Sequence, residues 1–250
     1  MIQGLYAAAS GMIATEDRQS VIANNIANAA TSGFKRQNAV AEGFKEIFLG
    51  SFGTAARLNA ERGPGGGMKL TNVYTDYATG PIGMTGNPLH VALQGPGFLA
   101  VETPEGERFT RNGELSINAD GQLTTADGFT ILGDGGAIDV NGGSVEFDSS
   151  GVVLVDNRAV GRLRIVEFED PSLLDRYGQS MFAPVENAGA PRPGDNTTVV
   201  AGGLEGSNVQ VPFEMAQMTL GLRMYNANQK VINSVDETMG RLINEVGMPT

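Results

Sequence analysis

The sequence predicts an α+β chain in which helices at the two ends pair in a coiled-coil-like way and flank a central antiparallel β-rich domain. Two apolar seams at helical spacing and a glycine-punctuated middle carry that prediction. The C-terminal seam is the stronger. Val211, Met215, Met218, Leu222, Tyr225, Gln229, Ile232, Asp236, Met239, Ile243 and Val246 follow at steps of three and four, and nine of these eleven are apolar in a chain that averages 41%. No proline falls between Pro212 and Pro249. Such heptad spacing marks a long helix that packs on another helix. Phe213, Leu220 and Ala227 fall roughly 200° around the helical wheel from that seam. A helix with apolar residues on two faces needs more than one neighbour, supplied by this chain or by other copies of it.

The N-terminal seam runs through Leu5, Ala8, Met12, Thr15, Gln19, Ile22, Ile26 and Ala29, with Thr31-Ser32-Gly33 as a stop signal. If the two helices run antiparallel with Leu5 near Val246, Thr15 falls beside Asp236, Gln19 beside Ile232, and the polar Gln229 beside Ile22. The alternative is two ordinary amphipathic helices covering one globular core. Within residues 1–34, Asn24, Asn25 and Asn28 weaken helix propensity while offering amides to backbone and side chains nearby. That suits a packed corner or a subunit contact. It does not suit an active site, because amides neither attack nor transfer protons.

Residues 35–80 form a variable connecting segment. Phe44, Ile47, Phe48 and Phe52 suggest a short apolar element there, and Gly63-Pro64-Gly65-Gly66-Gly67 a flexible break. Residues 81–203 form the β-rich body. Short strands are expected at 91–93, 98–101, 108–111, 114–117, 122–125, 144–147, 152–155 and 163–168. Turn pairs such as Glu105-Gly106, Asn112-Gly113, Asp120-Gly121 and Asp127-Gly128 separate several of them. Strands recurring at this interval argue for a sandwich or barrel-like body able to bury its own core. Residues 204–250 then carry the C-terminal helix back to the first.

The totals narrow the function. Net charge is −11 and no cluster of Lys and Arg occurs, so nucleic-acid binding is not expected. The chain contains no cysteine, which excludes disulfides, thiol nucleophiles and cysteine-ligated metals. No apolar run approaches the roughly 20 residues of a membrane span, so no membrane insertion is expected. No basic segment followed by an apolar core marks a cleavable signal. His90 is the single histidine, and one imidazole without a partner motif makes neither a metal site nor a triad. Glu167, Glu169 and Asp170 alternate with Phe168 as the exposed face of a strand end. Gly63–Gly67 lacks the ending a phosphate loop needs. Met215, Met218 and Met239 sit at seam spacing. No catalytic residue, metal or cofactor is predicted.

Residues 23–37 (ANNIANAATSGFKRQ) strongly resemble the N-terminal signature of the bacterial flagellar rod and hook proteins. Residues 204–209 (LEGSNV) and 228–232 (NQKVI) resemble its C-terminal end. Residues 85–89 (TGNPL), Gly97-Phe98 and residues 110–113 (TRNG) resemble its centre. The matches run the length of the chain in order. The chain length, TRNG, Ile131-Leu132-Gly133 with Gly135-Gly136, and residues 244–247 (NEVG) are most similar to the proximal-rod members, with the distal-rod members close rivals.

The resemblance implies a structural subunit of the flagellar basal-body rod, in the periplasmic space. It also implies export by the flagellar secretion apparatus without a cleaved signal, and assembly with other rod proteins and with copies of itself. The subunit contacts it implies are Leu5, Met12, Ile22, Asn24, Asn25, Ile26, Asn28, Gly33 and Phe34, then Ser207 and Asn208. On the last helix they are Met215, Met218, Leu222, Tyr225, Gln229, Ile232 and Met239. The chain departs from the family's usual residues at His90, where aspartate is common, and at Gln210 and Asn226. Two readings from other classes stand beside it. One is a carbohydrate-binding or adhesive β module with helical flanks; the other is an enzyme of unrecognised type, which would need a pocket of convergent acid and base groups.

Overall fold

A computed structural model describes residues 2–43, 68–185 and 188–246. The calls on Phe44, Ile47, Phe48, Phe52 and Gly63–Gly67 lie outside the described residues. The chain divides into two compact units. A helical unit comprises Met1–Ile26, Gln37–Tyr74 and Val211–Thr250, and a β unit comprises Ala27–Arg36 and Thr75–Gln210.

In the helical unit, α1 (Ile2–Ala27) pairs with α2 (Val211–Val246), and β1 (Gln37–Gly43) pairs with β2 (Met68–Thr75). The helices approach through small residues. Ala8, Ala14, Thr15 and Ile22 are buried on α1. A Cβ at Gly11 would lie 2.9 Å from Asn228 Nδ2, and one at Gly221 would lie 3.1 Å from Gln19 Nε2. Arg18 Nη2 donates to Gln217 Oε1 at 2.9 Å. Near the start of α2, Glu214 is buried and takes a hydrogen bond from Asn25 Nδ2 at 3.4 Å; a carboxylate is favoured at a helix N-terminus. Asn25 also clamps β1, accepting Gln37 N–H on Oδ1 at 2.9 Å and donating Nδ2 to Gln37 O at 2.8 Å.

The antiparallel pairing agrees with the sequence; the alignment and the facing seam do not. Gln19 lies against Gly221 rather than Ile232, a slide of eleven residues, about three helical turns. The pairing face of α2 carries buried Glu214 and Gly221 with half-buried Met218, Tyr225, Asn228 and Ile232, while Met215, Leu222 and Gln229 are exposed. Alternate seam positions are thus displaced by one residue. Close backbone approach decides this: glycine and a buried amide–carboxylate pair fix the register, and they leave Met215 and Leu222 outside.

In the β unit every strand pairing is antiparallel. The principal sheet runs, from edge to edge, β15 (Leu174–Tyr177), β16 (Met181–Pro184), β6 (Gly106–Thr110), β5 (Phe98–Thr103), β9 (Thr130–Gly133), β8 (Leu123–Thr125) and β7 (Leu115–Ile117). β10 (Gly136–Ala137) extends β9, β14 (Ile165–Glu167) pairs with β5, and β17 (Arg192–Pro193) pairs with β14. A three-stranded sheet holds β11 (Val145–Phe147), β12 (Val152–Val155) and β13 (Arg158–Arg162). Two ribbons complete the unit: β4 (Val91–Gln94) with β18 (Thr198–Ala201), and β3 (Ile82–Met84) with β19 (Gly203–Glu205).

Strand β5 is buried on both faces, and its period-two alternation feeds two cores. Leu99 and Val101 enter an aliphatic cluster with Val91, Leu93, Leu123 and Ile131. Phe98 and Ala100 enter an aromatic one with Phe109, Phe168 and Phe182, where edge-on ring pairs lie 4.9 to 6.0 Å apart.

The expected strands are present. Within the β unit the sequence did not mark β3, β9, β10, β13 or β15 to β19. β13 is exposed almost throughout and offers no apolar alternation. It is turned back by Asp156 and Asn157, both at positive φ (47° and 63°), the geometry of a tight hairpin.

Tyr77 packs edge-on against Phe98 and Phe182 and donates to Leu174 O at 3.3 Å. Burial pushes its hydroxyl up from 10.0 to about 12. The native state therefore holds a proton that the unfolded chain gives up. The stability this confers is intact below pH 10 and is lost as pH rises towards about 12. Urea unfolding across that window should show a falling arm in the wild-type chain and a flatter one in Tyr77→Phe.

Candidate assembly site

Three of the motifs singled out in the sequence meet inside the β unit at Glu205. Residues 27–36 enter from the N-terminal signature, Arg111 from the TRNG turn, and Glu205 from the end of β19. Lys35 Nζ donates to Glu205 Oε1 at 2.7 Å, Gly80 N donates to the same oxygen at 2.8 Å, and Arg111 Nη1 reaches Oε2 at 3.4 Å. Lys35 also donates to Ala78 O at 2.8 Å. The three side chains are at most 1% exposed. Burial pulls both Lys35 and Arg111 below their ordinary values, and the Glu205 carboxylate draws them back up. The Arg111 guanidinium also lies 4.8 Å from the centre of the Phe98 ring, which shares the charge.

The glycines of these motifs are there for space. Gly33 sits at φ +68°, donates to Glu205 O at 2.7 Å, and would place a Cβ 2.4 Å from the Arg111 carbonyl carbon. Phe34 is fully buried beneath the Arg176 guanidinium, 4.0 Å from its ring centre. Asn208 ties the two signature segments together. Its Oδ1 accepts Arg36 N–H at 2.7 Å, and its Nδ2 donates to Asp76 O and Ala78 O at 2.8 and 3.1 Å. Ser207 Oγ accepts Val209 N–H at 3.2 Å.

The residues expected at subunit contacts therefore fall into three groups. Ile22, Asn25, Asn28, Gly33, Phe34 and Ser207 are buried within this one chain, and Asn208 is anchored by three hydrogen bonds. Met12, Ile26, Met218, Tyr225 and Ile232 are half-buried. Leu5, Asn24, Met215, Leu222, Gln229 and Met239 are exposed, Met215 to 58% and Leu222 to 49%. Phe213, Leu220, Met224 and Val231 add to the exposed apolar surface of α2, and Tyr6 and Ile13 to that of α1. A groove of about 360 Å³ within the helical unit is lined by Ala14, Met68, Leu220, Met224 and Ala227, with Arg18 and Arg223 also on its wall.

Sequence reasoning missed Lys35, Arg111 and Glu205. The available signal was one charged residue within two positions of a glycine in each of three motifs: Gly33-Phe34-Lys35, Arg111-Asn112-Gly113 and Glu205-Gly206. The cluster is closed off, so these groups organise the fold and reach no substrate. Among the described residues no group of three His, Asp or Glu is placed to hold a metal ion, and no helix is long and apolar enough to cross a membrane. Replacing Glu205 by Gln preserves shape but strands two buried cations, and should cost about 3–5 kcal/mol in urea unfolding. Lys35→Met leaves the Arg111 pair intact and should cost less.

Comparison with known proteins agrees with this arrangement. Residues 5–35 match the family described as flagella basal body rod protein. Residues 92–155 match the flagellar hook protein FlgE/F/G D1 domain, and residues 200–245 the flagellar basal body rod FlgEFG protein C-terminal region. The flagellar basal-body rod protein FlgG of Buchnera aphidicola from Schizaphis graminum is 30% identical over 97% of this chain and 99% of its own. FlgG of Caulobacter vibrioides is 31% identical over 95% and 97%. Flagellar basal-body rod protein FlgF of Escherichia coli is 33% identical over 96% and 97%. The chain thus belongs to the flagellar basal-body rod protein family of FlgF and FlgG, as a structural subunit of the rod and not an enzyme.

Proposed function

We propose that the chain is a proximal-rod subunit of the FlgF kind, exported by the flagellar secretion apparatus with its N-terminal segment uncleaved. In this reading it joins neighbouring rod proteins and further copies of itself through the outer faces of its terminal helices. The observation that carries the assembly reading is the apolar surface on α1 and α2 that helix pairing leaves exposed, Met215, Leu222 and Met239 above all. Each such side chain gains roughly 1.5–3 kcal/mol when fully buried, so a handful gives a contact strong enough to order a polymer. A contact between two different surfaces of identical subunits does not close, and it propagates as a helix. The proximal assignment rests on the TRNG, ILG and NEVG motifs together with the FlgF likeness. The FlgG likeness keeps the distal rod as the alternative.

The chain has no cysteine, so Leu222→Cys introduces a single reporter thiol. Cross-linking in motile cells of the source bacterium should join position 222 to proximal-rod proteins or to this chain itself. Adducts with the hook in place of the proximal rod would assign the distal position, and no flagellar adduct would remove this face from assembly. Met215→Gln with Leu222→Gln alters exposed positions, so the lone chain's stability should shift by less than about 1 kcal/mol. Motility should nevertheless be lost.

A further inference from the structure

The single histidine is wired into the 85–90 loop that joins β3 to β4. His90 Nδ1 lies 2.8 Å from Thr85 Oγ1, and Nε2 lies 3.1 Å from Asn87 Nδ2. The Asn87 amide is oriented independently of the ring, because its Oδ1 accepts Leu89 N–H at 3.0 Å; turning the amide over would break that bond. Asn87 therefore presents its N–H to Nε2, and Nε2 must accept. A neutral imidazole accepting at Nε2 carries its proton on Nδ1, which then donates to Thr85 Oγ1. The Thr85 hydroxyl proton is left to reach Gly202 O, 3.2 Å away. We propose that this one-way relay, from Asn87 through His90 and Thr85 to Gly202, is an acid-released latch on the 85–90 loop.

The latch grips the corner between β18 and β19. Thr85 N and Gly86 N both donate to Gly202 O, at 2.8 and 3.2 Å, and Gly202 N donates to His90 O at 2.8 Å. The loop itself is exposed from Thr85 to Pro88, which gives protons access. Protonation of the ring removes the Nε2 acceptor and sets an N–H against the Asn87 N–H, and the Asx turn to Leu89 prevents Asn87 from turning to compensate. Two neighbouring segments contact this loop. The Ala201-Gly202-Gly203 corner carries no ionisable side chain, and the other offers one carboxylate, that of exposed Glu114, whose backbone bridges to His90. The Nε2 partner is Asn87 and not Glu114, so this carboxylate does not restore the lost acceptor.

Because there is one histidine, the ring nitrogens of the full-length chain give a single set of signals. Long-range proton–nitrogen spectra and amide exchange would be recorded at mildly alkaline and at acidic pH. The expected result is the Nδ1–H tautomer at the upper pH. At the lower pH, exchange at Thr85, Gly86 and His90 should be roughly tenfold faster after correction for intrinsic rates. Asn87→Asp keeps an acceptor for Leu89 and offers a second oxygen to the imidazolium, so acid loosening should vanish in it, whereas Glu114→Gln should retain it. An Nε2–H tautomer would overturn the proposal. So would loosening that persists in Asn87→Asp, or loosening that Glu114→Gln abolishes.

Discussion

A carboxylate with almost no exposed surface must be neutralised where it stands, and the β unit is arranged around that requirement at Glu205. Lys35 and Arg111 supply the charge, Gly80 and Gly33 bring backbone N–H groups to the side chain and its own carbonyl, and Phe98 shares the guanidinium. Removing charge from the interior would be energetically comparable or better if all three charged groups left together. What the cluster adds is specificity. It joins a segment that follows α1 in sequence to one that precedes α2, through partners 170 residues apart. Hydrophobic packing alone could not select that pairing, because the apolar residues of the two cores would accept many neighbours.

The helical unit solves the opposite problem. Where the backbones come closest its paired face carries glycine, alanine and a few polar groups, with Ile22, Met218, Tyr225 and Ile232 between them. Other bulky side chains of α2, Met215, Leu222 and Met224 among them, are exposed. For a lone globular protein such a distribution would be poor economy, because exposed methionines and leucines contribute nothing to stability. For a rod subunit it separates two tasks. Small residues and the Asn25–Glu214 contact set the alignment of the helices within one chain, and in the proposed assembly the exposed apolar residues would meet its neighbours.

The legibility of this protein varied with the range of the forces involved. Both long helices and many strands of the β body could be read locally, from heptad spacing, period-two runs and glycine turns. β13 could not, since an exposed strand held by a two-residue turn has no apolar signature. The seam of α2 was legible as apolar, but only alternate positions, Met218, Tyr225 and Ile232, lie on the pairing face, while Met215, Leu222 and Gln229 do not. Spacing reports which residues share a side of a helix, and says nothing of whether that side meets its own chain or another. The site was half legible in the same way: Gly33, Phe34, Ser207 and Asn208 stood out by motif, while Lys35, Arg111 and Glu205 looked like ordinary solvated charges.

The sequence by itself determined the element types, the pairing of the terminal helices and the family, because each is encoded in local pattern and ordered motifs. Only the tertiary structure decided the three-turn slide between the helices, the burial of the signature residues inside a single chain, and the convergence of three distant charges on one point. Those outcomes depend on which backbones can approach within contact distance and on which charges lose their water. Both are properties of residues brought together from far apart in the chain, and no local pattern records them.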